Sequence, residues 1–127
     1  MIRGIRGATT VIADQEELVL SATEALLTEI ITKNQIDPND VASIFISATH
    51  DLSSTFPAKA LRRFEDWTYV PVMCMQEVPV KGGLPLCIRV MMHVNSAGSQ
   101  QDIQHIYQEN AIQLRPDLAD SHSSTSG

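Results

Sequence analysis

Residues 14–35 carry the longest sustained helical period in this sequence, and around them lie only short apolar runs. A chain patterned this way must bury the one apolar stripe of that helix against a sheet assembled from the short runs. Asp14 stands where an N-cap is expected, and Glu17 three residues on completes a capping-box-like pair. Leu18, Ala22, Ala25, Leu26 and Ile30 fall at helical spacing and form the expected stripe. Residues 2–8 alternate and are spaced by glycines, so as a strand they put Ile2, Gly4 and Arg6 on one face. Residues 43–48, 70–75 and 86–94 are three further strand candidates, separated by a polar loop at 49–55 and a Gly-Gly and proline loop at 80–85. Asp37-Pro38 predicts a short helical turn, Pro57 to Phe64 a second helix, 100–110 a third, and 111–114 a last strand. In the third helix Ile103, Ile106, Tyr107 and Asn110 share one side. The reading is a mixed α/β, or α+β, single domain with helices on one side of the sheet.

The 127 residues suffice for one domain and one core. That domain is expected to run over 1–118. Residues 119–127 are polar, cannot bury enough apolar surface to offset their ordering entropy, and are read as a disordered tail. A net charge of −6 argues against non-specific binding of nucleic acid, which needs a basic surface to displace counterions. It leaves an anionic substrate open, because a site depends on local rather than total charge. No run approaches the roughly 20 apolar residues of a membrane helix, and no apolar signal core stands at the N-terminus. Cys74 and Cys87 form no CxxC pair and read as reduced thiols, so the expected compartment is the cytoplasm. His50, His93, His105 and His122 are scattered, without metal-ligand spacing, and there is no phosphate-binding loop; neither metal nor cofactor is expected.

The informative charges are basic. Arg89 sits inside the apolar run Leu86-Cys87-Ile88-Arg89-Val90-Met91-Met92, where an arginine is costly to bury unless it meets a carboxylate or an anionic ligand. A strand with one wet face is the plain alternative. Glu77 ends a similar run and is either the structural partner of Arg89 or part of the same site. Arg6 lies in the first strand. Lys59 and Arg62, three apart, share a helix face that is ordinarily a solvated one. Tyr107, read on a helix, is more often a core residue than a site residue.

Taken together, MIRGIRGATT at 1–10, ISATHDLSSTFPAKALR at 46–62, YVPVMCMQE at 69–77, GGLPLCIRVMMHV at 82–94 and IYQENAIQLRPDL at 106–118 resemble the small monofunctional chorismate mutases of Gram-positive bacteria. The combination of GIRGATT, FPAKA, CMQE and CIRVMM, in order, is specific where each string alone is not. The resemblance implies a homotrimer forming a barrel-like core, with active sites in clefts between chains. It implies rearrangement of chorismate to prephenate without cofactor. Arg89 would lie beside the ether oxygen, Arg6 and Tyr107 would bind a carboxylate, and Glu77 and Cys74 would face the ring hydroxyl. Phe56, Ala58, Lys59, Arg62 and Met73 would come from the neighbouring chain. Leu114 would add to the substrate-binding set, with Arg115 on a closing tail. Methionine at 73 departs from the threonine common in relatives. Two alternatives stand beside this reading: a trimeric imine- or enamine-hydrolysing deaminase, and a non-catalytic chorismate-binding regulator.

Overall fold

The computed structural model describes residues 1–114. Arg115 and the tail 119–127 lie outside them. Among the described residues the strands are β1 (Ile2–Thr10), β2 (Val41–Ala48), β3 (Val72–Gln76), β4 (Cys87–Asn95) and β5 (Ile106–Tyr107), with one α-helix, α1 (Glu16–Asn34). They form one mixed sheet in the order β3-β2-β4-β1-β5. β4 enters last of the long strands and fits between β1 and β2, antiparallel to both. Its backbone groups are paired on both sides, which suits its nearly unbroken apolar sequence. β3 adds parallel to β2, and β5 adds parallel to β1.

The pleat sorts the side chains onto two unlike faces. Ile5, Ile44, Ile46, Ile88, Val90 and Met92 point to the face that α1 covers and are all buried. Val19, Leu26, Leu27 and Ile30 of α1 complete that core. The helical stripe is therefore rotated from the one expected: Leu26 and Ile30 are in it, whereas Leu18 and Ala22 are half-buried and Ala25 is exposed. The stripe actually used is Val19, Leu20, Thr23, Leu26, Leu27 and Ile30, with the hydroxyl of Thr23 donating to the Val19 carbonyl inside it. A threonine at that position hid the true periodicity. On the opposite face Phe45, Met73 and Met75 are 41%, 59% and 44% exposed, a sheet surface left open in the single chain.

Asp14 does not cap α1. Gln15 holds the N-cap position without a side-chain bond, and the Asp14 carboxylate instead accepts from the Ser53 N–H and hydroxyl and from the Ser54 N–H. The expected second helix is a 3₁₀ segment, Pro57–Arg63, with Ala60 and Leu61 turned inward. It is tied to α1 by ion pairs of Lys59 with Glu16 at 2.8 Å and of Arg63 with Glu17 and Glu24 at 3.0 and 2.9 Å. Hydrogen bonds from the Ser53 backbone hold the Asp14 carboxyl below its ordinary range, and those from Lys59 and Ser21 lower Glu16 and Glu17 respectively. A carboxyl lowered on folding stabilises the folded chain above its unfolded value and loses that contribution as pH falls through the folded one. The seam between α1 and residues 53–63 should therefore loosen as pH drops below the ordinary values of 3.8 for Asp14 and 4.5 for the two glutamates. Amide hydrogen exchange across 53–63, followed from pH 6 to pH 3, reads this directly; protection in that segment unchanged at pH 3 contradicts it.

The expected third helix over 100–110 does not form. Ser99 caps a short 3₁₀ turn, Gln100–Asp102, and the chain then extends. Gln104 is bound on both sides by the Asn34 amide, the Arg6 N–H donates to His105 Nδ1 at 2.9 Å, and the Gln108 N–H donates to the Ala8 carbonyl at 2.9 Å. The free edge of β1 offers the segment a ladder, which outweighs a helical spacing of only two isoleucines. The last expected strand is likewise 3₁₀, Glu109–Leu114, with Ala111 buried. The turn after Asp37 and the loops at 49–55 and 80–85 form as expected, Asp37 accepting from the Asn39 N–H.

Candidate active site

The open sheet face brings together Arg6 and Arg89. Ala8 stands opposite Arg89, and Ser47 stands opposite Arg89 on the other side, so the arginine lies mid-sheet. Arg6 is two residues along β1 on the same face, and Tyr107 is paired with Ala8. Arg6, Arg89, Tyr107, Leu114, Phe45 and Met75 line a cavity of about 360 Å³ there. No carboxylate lines it among the described residues.

Arg89 Nε also forms an ion pair with Glu77 Oε2. With side chains 44% and 27% exposed, the pair contributes about 1 kcal/mol or less to stability. An arginine in an apolar central strand is therefore not explained by that bond alone. The bond engages one of the five guanidinium donors and sets the direction of the planar fork. Arg89 and Glu77 also share a second cavity, of about 470 Å³, under the loop 78–85.

A third cavity, of about 610 Å³, lies around the edge of the sheet, between the 49–57 loop and the end of β3. Phe56, Lys59 and Cys74 line it, and Met75 borders both it and the Arg6–Arg89 cavity. Cys74 stands opposite the fully buried Ile46 and turns toward the core, the reverse of Met73 and Met75. Within one chain its thiol is thus on the other side of the sheet from the Arg89 guanidinium. Burial pushes that thiol up from its ordinary value of 9.0, against the opposing pull of an Ala58 backbone group, so it is protonated at neutral pH. Ala58 is half-buried on the 3₁₀ segment, and Arg62 and Met73 are exposed.

Residues 2–118 match the sequence profile of chorismate mutase type I. The chain belongs to that family. It is 55% identical over 119 residues to the Bacillus subtilis chorismate mutase AroH, covering 94% of both chains. It is 41% identical to the Thermus thermophilus chorismate mutase AroH, over 93% of this chain and 97% of that one. The fold is similar to that of a chorismate mutase from Clostridium thermocellum, with a TM-score of 0.85, 42% identity, and coverage of 87% of this chain and 98% of the other.

For a type I chorismate mutase the chain thus brings together Arg6, Arg89, Tyr107 and Leu114 in one cavity, with Glu77 ion-paired to Arg89 and lining the adjoining cavity. It holds Phe56, Lys59 and Cys74 in another. Phe45, Ser47 and Met75 join the first cavity without having been singled out in the sequence. Their signal is the period-two spacing of Phe45 and Ser47 on β2, which points to Arg89 only once the β2–β4 register is known. Among the described residues no group of three His, Cys, Asp or Glu side chains is placed to hold a metal. No helix among them is long and apolar enough to cross a membrane.

Proposed function

We propose that this isomerase converts chorismate to prephenate as a cytoplasmic homotrimer, in clefts each built from two chains. The observation that carries the reading is a cavity with two guanidinium groups, a phenol and, among the described residues, no lining carboxylate, on a sheet face that is otherwise mostly apolar. Such a place suits a small dianion, and chorismate carries two carboxylates. Its rearrangement is concerted: the ether C–O bond breaks as a C–C bond forms, and no proton moves. The protein can then act in two ways. It can hold the flexible enolpyruvyl arm over the ring, and it can meet the charge growing on the ether oxygen with a fixed donor. Arg89 takes the second task, with its fork held by Glu77. Arg6 and Tyr107 bind a carboxylate, and Glu77 accepts from the ring hydroxyl when substrate is present.

The same surface supports the trimer. Phe45, Met73 and Met75 leave an apolar patch on the open face, the kind of surface that subunit contacts cover. β3 is an outer strand of the sheet. A neighbouring chain laid along that edge would bring its own Phe56, Lys59, Arg62, Met73 and Cys74 to face Arg6 and Arg89, which one chain alone cannot do. Residues 1–118 would form this catalytic domain, with Leu114 and Arg115 at the cleft's mouth. The test is loss of chorismate absorbance on adding purified protein, with prephenate identified and the mass measured by light scattering. Activity should reside in the trimer; a fully active monomer, or no prephenate, overturns the reading.

A further inference from the structure

We infer that Asp51 is a positioning residue for Arg89, acting through a left-handed clamp at Leu86; this rests on the reading of Arg89 given above. Asp51 touches neither the arginine fork nor the Arg6–Arg89 cavity. Its carboxylate accepts the Leu86 N–H through both oxygens, at 3.2 and 3.0 Å, and also accepts the Thr49 hydroxyl. The Thr49 hydroxyl oxygen in turn accepts the Cys87 N–H at 3.0 Å, and the Thr49 N–H donates to the Cys87 carbonyl at 3.0 Å. On the far side the Val11 N–H donates to the Leu86 carbonyl at 3.0 Å. The first residues of β4 are thereby fastened to the ends of both β2 and β1.

What the clamp holds is a strained residue. Leu86 has φ of 51°, in the left-handed region that a leucine seldom enters. Strain of this kind persists only where the surroundings over-determine it, and it collects at functional sites. The apolar alternation Ile88, Val90, Met92 and Val94 already decides which face of β4 is buried, so the clamp is not needed for register. What it adds is the angle at which the chain turns from the 78–85 loop into the strand, three residues before Arg89. Asp51, Thr49, Glu77 and Arg89 line one cavity, so a shift of that entry moves the arginine against its glutamate and its substrate. A displacement of about 1 Å in a positioned group can cost 10²-fold in rate.

The experiment compares Asp51→Ala, Asp51→Asn, Leu86→Gly and the double variant Asp51→Ala/Leu86→Gly in the full-length protein. Turnover, KM, melting and amide exchange at Leu86 and Cys87 are recorded for each. Asp51→Ala should lose about tenfold or more in kcat with KM little changed, and its Leu86 amide should exchange quickly. Asp51→Asn keeps a carbonyl acceptor and should lose less, which also covers the case in which the alanine variant does not fold. Glycine reaches the left-handed region freely, so Leu86→Gly alone should stay near wild type and the double variant should regain several-fold of the lost kcat. A purely structural Asp51 would lower melting while leaving turnover per folded trimer unchanged; that result, or a double variant no better than Asp51→Ala, overturns the inference. Arg89→Ala run alongside separates the two failures. If it keeps its turnover, the reading of Arg89 is at fault; if it loses turnover while folded Asp51→Ala does not, only the clamp's role is refuted.

Discussion

Arg89→Ala should lower kcat by about 10²–10³, roughly 3–4 kcal/mol of transition-state stabilisation, while the protein remains folded. The stability cost is expected to be small, because the arginine is 44% exposed and its bond to Glu77 is a wet one. Nothing in the core changes: Ile88 and Val90 on either side point the other way and stay buried. Substrate capture should survive in part through Arg6 and Tyr107 in the same cavity. The loss therefore falls on kcat more than on KM, the signature of an interaction stronger in the transition state than in the ground state. Arg89→Lys keeps the charge but loses the planar fork and its bond geometry with Glu77, so it should recover little. If Arg89 were only the structural partner of Glu77, removing either would lower melting and leave turnover per folded molecule unchanged. Steady-state kinetics with melting measured on the same preparations decides; near-wild-type turnover in a stable Arg89→Ala protein would falsify the mechanism.

The largest effect on stability is expected at Gly7. It stands mid-β1, paired with Val90 on one side and Ile106 on the other, and its missing side chain would point at α1. A Cβ there would lie 2.7 Å from the Ile30 Cδ1, 3.1 Å from the Leu26 Cδ1 and 3.3 Å from the Ile106 carbonyl oxygen. The first two contacts are with side-chain ends that can yield by some tenths of an ångström, so Gly7→Ala should cost about 1 kcal/mol, the low end of overpacking. Gly7→Val adds two methyl groups where Leu26 and Ile30 are already fully buried. It should cost about 3 kcal/mol, a fall in melting temperature of roughly 10 °C for a domain of this size. α1 would lift from the sheet, and the Ile106–Tyr107 strand, whose backbone also borders the site, would be displaced with it. Thermal melting with exchange protection over β5 checks this; a Gly7→Val protein melting with wild type would show that the helix sits farther from β1 than the structure places it. Gly4, by contrast, faces the open side, where a Cβ meets only the Met91 sulfur at 3.2 Å.

The sequence by itself determined the elements whose periodicity is local and strong. β1 lies where its alternation puts it, β2, β3 and β4 where short apolar runs put them, and α1 where a helical period was read, although the face it buries is rotated from the expected one. It also singled out Arg89, since a charge inside an apolar run conflicts with burial whatever the fold, and the family was legible from its strings. Three things were decided only in three dimensions. Asp14 reads as a helix cap in sequence, but the 53–54 loop offers its carboxylate three donors that no local pattern announces. Residues 100–110 carry helical spacing, yet the edge of β1 draws Ile106 and Tyr107 into a strand. The site is divided for the same reason: which of Cys74 and Met75 faces Arg89 depends on β2–β3 and β2–β4 register, a relation among residues far apart in the chain. Side-chain alternation fixes that two neighbours point apart, and only the pairing of strands fixes which of them meets the arginine.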